Sequence, residues 1–110
     1  MIVTEQAVSD ALGYLAADPH PVALARKDLT DAENKRERIF AEIFRAANGG
    51  SIKDRETWVE ISPQYQEAKA EESEAQFEYE RHRARIRSAE MLLEIWRTEN
   101  ANARAAERVR

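Results

Sequence analysis

Along the C-terminal half of the chain, positions that are mostly apolar or small recur at alternating spacings of three and four. They are Tyr65, Ala68, Glu72, Ala75, Tyr79, His82, Ile86, Ala89, Leu93, Trp96, Asn100 and Ala103. Such spacing puts one narrow stripe along a helix, the pattern by which helices pack side by side. From residue 63 onward there is no Gly, and Pro63 is the only Pro, so the pattern predicts a single helix from Pro63 to about Arg108. At 1.5 Å per residue it would reach roughly 70 Å.

Three shorter helices are predicted upstream. Val3, Ala7, Val8, Ala11, Leu12 and Leu15 share one face of a helix from about Thr4 to Ala16, within an arm spanning residues 1–17. The segment Asp18-Pro19-His20-Pro21 breaks it, because each Pro lacks a donor and pushes its predecessor out of the α region. A second helix is predicted over 21–48, its apolar face strongest from Ile39 to Phe44. Thr30-Asp31-Ala32-Glu33 also reads as a capping box, which leaves Asp31 as an alternative start. Gly49-Gly50 supplies left-handed residues, Ser51 with Asp54 caps a short helix over 51–61, and Ser62-Pro63 starts the long one.

The expected fold is therefore all-α and a single domain over 1–110. It is an antiparallel helical hairpin with one very long C-terminal helix, a short corner helix and a short N-terminal helix. Laid along the long helix, the second helix covers it only to about Ala89. Beyond that, Met91-Leu92-Leu93-Glu94-Ile95-Trp96 is apolar at five of six positions and needs cover from more than one side. Either the N-terminal arm folds back onto it or a second copy does, and the two can coexist. Tyr79, His82, Ile86, Ala89, Leu93 and Trp96 form the expected seam, for packing or for a homodimer.

Charge sharpens this picture. The chain carries a net charge of −4, without the broad positive field of non-specific nucleic-acid binders. Yet residues 63–80 hold six acidic residues against one basic, and residues 81–110 hold eight Arg against four Glu. Dipole compensation favours this polarity, but only within a turn or so of each end. Two antiparallel copies would set acidic half against basic half, as a two-fold pair requires. Arg81, Arg83, Arg85, Arg87, Arg97, Arg104 and Arg108 are the candidate contacts to a protein partner or to nucleic acid. Their alternative role is pairing with Glu78, Glu80 and Glu90 at neighbouring turns.

Catalytic and metal chemistry find no constellation. There is no Cys, which excludes disulfides and thiolate catalysis. A di-iron bundle needs Glu-x-x-His on two helices. Here Tyr79 stands three before His82, and the only other His is His20, so His82 reads as a partly buried, hydrogen-bonded residue. Gly49-Gly50-Ser51 lacks phosphate-loop spacing, and a turn plus cap accounts for it. The expectation is no catalytic residue, no metal ligand and no cofactor. No 18-residue apolar run or signal-peptide layout is present, so no membrane association is expected and the default compartment is the cytosol.

Two clusters carry a family likeness: Gly50-Ser51 followed by Asp54-Arg55-Glu56, Pro63 and Tyr65 with Ala68, and then Glu94-Ile95-Trp96-Arg97 with Asn100-Ala101. Together, over about Leu29 to Arg104, they resemble small helical-hairpin proteins of uncertain function from the early, replication and recombination regions of tailed bacteriophages. The resemblance implies a phage-encoded accessory or inhibitor protein working by binding, in the host-cell cytosol, with no catalytic residues to carry over. The reading from the residues is the same in class: a non-enzymatic interaction module, with a DNA-binding accessory as the alternative.

Overall fold

A computed structural model describes residues 2–109 as four helices with no strand among them: α1 (Glu5–Leu15), α2 (Pro21–Ala46), α3 (Ile52–Glu60) and α4 (Pro63–Val109). The all-α architecture and the long C-terminal helix stand as the pattern predicts, α4 running 47 residues. Thr4 caps α1, its hydroxyl accepting the Ala7 amide at 3.1 Å. The helix α2 runs unbroken through Thr30, and Asp31 gives its carboxylate to Lys27 one turn earlier at 3.0 Å, so the alternative start is not used. That exposed ion pair, by hydrogen bond first and by charge second, holds the Lys27 ammonium above its ordinary value.

The α2–α3 turn follows the sequence closely. Gly49 and Gly50 have φ of 74° and 82°, a region L side chains rarely adopt. At Gly50 a Cβ would also lie 3.0 Å from the Asp54 carboxylate. That carboxylate accepts the Ser51 amide at 3.2 Å while the Ser51 hydroxyl accepts the Asp54 amide at 3.1 Å, a complete capping box worth about 1 kcal/mol. Ser62 and Pro63 start α4 as expected, the Ser62 carbonyl accepting the Gln66 amide at 3.0 Å, but the Ser62 hydroxyl donates to the Gln64 side chain at 2.9 Å.

The chain forms two compact units. Unit 1 comprises residues up to Val22 with those from Arg81 onward, and unit 2 runs from Ala23 to Glu80. In unit 2, Arg26 lies over the Tyr79 ring, Lys35 pairs with Glu71 at 2.8 Å, Arg36 pairs with Glu72, and Phe40 meets Tyr65 edge-on. Rising numbers on α2 against falling numbers on α4 make this an antiparallel pair. Hydrogen bonds to Glu72 and then Tyr65 hold the Arg36 guanidinium above its ordinary value. Leu29 and Val59 are completely enclosed, and Ala25, Tyr65 and Ala68 are buried with them.

In unit 1, α1 lies against α4 with opposite direction: the Ile2 amide donates to Glu99 at 3.0 Å, and Tyr14 reaches His82. Val3, Val8 and Ala11 form one cluster with Ala89 and Leu93, with Ala7, Leu15, Leu92 and Trp96 packed around it. The physical reason is the apolar run Met91 to Trp96, of which the apolar face of α1 covers Leu92, Leu93 and Trp96 from its own chain and leaves Met91 and Ile95 exposed.

Candidate functional site

Two places gather side chains beyond what packing requires, one in each unit. In unit 1 the expected seam is buried or half-buried at every position from His82 to Trp96, and its first member, Tyr79, is half-buried in unit 2. Ala89 and Leu93 lie in the cluster with α1, and Trp96 packs against it. His82 is partly buried and hydrogen-bonded, its Nδ1 2.8 Å from the Tyr14 hydroxyl, which also donates to the His82 carbonyl at 3.3 Å. The second histidine converges on the same ring. His20 packs edge-on to Tyr14 with centroids 4.9 Å apart, and its Nδ1 accepts the Val22 amide at 3.0 Å.

The arginines divide into two sets. Arg85 places its guanidinium 4.0 Å above the Tyr14 ring, a cation–π contact that commits it to holding α1. Arg81 and Arg83 carry interactions of their own. Arg87, Arg97, Arg104 and Arg108 are exposed, and Arg104 Nε donates to the Asn100 carbonyl at 3.5 Å. At 100° per residue, Arg97, Arg104 and Arg108 fall within about 40° of one another, so these three share one face. Arg110 lies outside the described residues.

In unit 2 the corner helix α3 buries only Val59 and turns its other apolar residues outward. Trp58 is 58% exposed and Ile61 67% exposed. Between them lies a cleft of about 230 Å³, completed by Ile43, Ser62, Pro63 and Gln64. On its other side Trp58 borders a second cleft of about 460 Å³, walled by the Gly49-Gly50 turn, Asp54 and Arg55. Arg55 stacks 5.4 Å from the Phe44 ring centre, and its Nε is buried with no hydrogen-bond acceptor among the described residues.

Sequence reading passed over Trp58 and Ile61. The available signal was that Ile52, Trp58 and Val59 of a nine-residue helix, with Ile61 at its C-terminal cap, point to several sides, more apolar surface than one packed face needs. Among the described residues, no three His, Asp or Glu side chains come together as metal ligands do, and no helix is long and apolar enough to cross a membrane. Compared with protein-family models, curated proteins and solved structures, the chain finds no match.

Proposed function

We propose that this chain is a non-enzymatic, intracellular protein-interaction module, and that the corner of unit 2 around Trp58 and Ile61 is its partner-binding surface. The observation that carries this reading is a half-exposed Trp between two clefts on a capped helix. Trp is among the residues most enriched where binding energy concentrates, because it brings large apolar area with few rotamers to freeze. A partner carbonyl or carboxylate entering the larger cleft would meet the Arg55 side chain that walls it. The bacteriophage resemblance suggests the setting, an accessory or inhibitor protein that occupies a host or phage protein.

The test compares the wild-type chain with Trp58→Ala/Ile61→Ala as baits in lysate of a bacterial host. Both residues are exposed, so the double variant should keep its helical circular dichroism. It should lose the wild-type partner at least about tenfold, since hot-spot truncations cost about 2 kcal/mol or more. Equal capture by both baits would end this assignment of the surface.

A second reading, DNA binding by the basic end of α4, is favoured by the shared exposed face of Arg97, Arg104 and Arg108. Anisotropy of short labelled single- and double-stranded DNA should then fall steeply as salt rises. Arg97→Glu/Arg104→Glu/Arg108→Glu should abolish it with α1 still docked. Absence of binding at low salt eliminates this alternative.

A further inference from the structure

The α4 segment of unit 1 bears a second stripe, flanking the face that α1 covers and meeting the edge of the arm in a groove shared with Val3, Thr4 and Ala7. Ser88, Met91, Ile95, Thr98, Asn102 and Ala105 alternate by three and four, carry no charge and are all exposed. Ala84 and Val109 extend the same register at either end, and Arg81 bounds it upstream. Met91 is 63% and Ile95 43% exposed, and beside them the exposed Ile2 helps line an apolar groove of about 340 Å³. Eight consecutive heptad positions without a charge, in a segment rich in Arg and Glu, mark a face shaped for another helix of the same repeat.

We propose that unit 1 pairs with a second copy of this chain through a parallel, in-register coiled coil along this stripe. Asn102 argues for the second copy and for its direction. In a parallel pair it faces its own counterpart, and the two amides satisfy each other, the register device of two-stranded coils. The antiparallel alternative sets Asn102 against Met91, leaving the amide unpaired, and brings Arg87 beside Arg108. The parallel pair has one like-charged flank, Glu94 against Glu99, but the Glu99 carboxylate is already occupied by the Ile2 and Val3 amides.

The end of α4 supports the same conclusion independently. Every residue from 101 to 109 is exposed, because the α1 contacts stop at Glu99. Those residues persist as helix without tertiary cover, where most helical stability in proteins comes from packing. A partner helix along the stripe supplies that cover without entering between α1 and α4, since Ala89 and Leu93 point away from Met91 and Ile95 by roughly 150°.

The decisive experiment is sedimentation velocity over a wide concentration range on wild type, Met91→Glu and Ile95→Glu, with hydrogen exchange of α1 as the folding control. Wild type should reach twice the chain mass. Each variant should weaken association about a hundredfold or more with α1 protection intact, because every copy loses an apolar contact and gains a charge in the seam. A wild type that stays monomeric throughout, or a dimer indifferent to both substitutions, overturns the proposal. The chain has no Cys, so direction is read cleanly from Asn102→Cys. Under mild oxidation it should link to itself, and a dimer that does not link at this position overturns the parallel register.

Discussion

Leu93→Glu is expected to strip α1 from α4. Leu93 is buried at the centre of the cluster formed by Val3, Val8, Ala11 and Ala89, so the substitution removes its packing and places a carboxylate among apolar side chains. The lost packing alone is worth about 3 kcal/mol, and an unpaired charge in the same place adds to it. An 11-residue helix has little stability of its own once undocked. Hydrogen exchange should therefore show protection lost across Glu5–Leu15, and the Tyr14 contacts to His82 and Arg85 should go with it. Retained protection in α1 would mean that the cluster is not what holds the arm. Met91→Glu is the informative companion: two positions away on the same helix but exposed, it should leave α1 protected.

The largest effect in unit 2 is expected at Leu29, which is 1% exposed. Leu29→Ala should cost about 2–5 kcal/mol, the transfer of the lost methyl groups plus the cavity left behind. Leu24→Ala, one and a half turns earlier on α2 where the side chain is half exposed, should cost less than about 1 kcal/mol. Urea titrations of the pair provide the comparison, read as a change of midpoint at constant slope. Equal costs at the two positions would contradict the burial that separates them.

The arginine cluster shows how function and scaffold compete for the same residues. Sequence alone presents Arg81, Arg83, Arg85 and Arg87 as one basic run. The folded chain sets Arg85 over Tyr14, so a substitution there changes arm docking as well as charge. The cleaner probes of a basic surface are the exposed Arg97 and, past Glu99 where the α1 contacts stop, Arg104 and Arg108. Likewise Trp96 and Trp58 are the same residue type, yet one packs against the α1 cluster and the other stands between two clefts.

Helix type, helix ends and the first α4 stripe are determined locally, and for that reason the sequence by itself determined them. The 3–4 spacing names the buried face of α4 from Tyr65 to Asn100. The Gly49-Gly50 turn and the Ser51–Asp54 box are set by residues within four of one another. Only the tertiary structure decided which partner lies on each face. That α1 returns to Ala89 and Leu93 depends on contacts some eighty residues apart, which spacing within a helix cannot encode. The same holds for the convergence of His20, His82 and Arg85 on Tyr14. Exposure of Trp58 and Ile61, and of Met91 and Ile95, was hidden for the complementary reason: an apolar residue looks alike in sequence whether or not the chain's own packing has reached it.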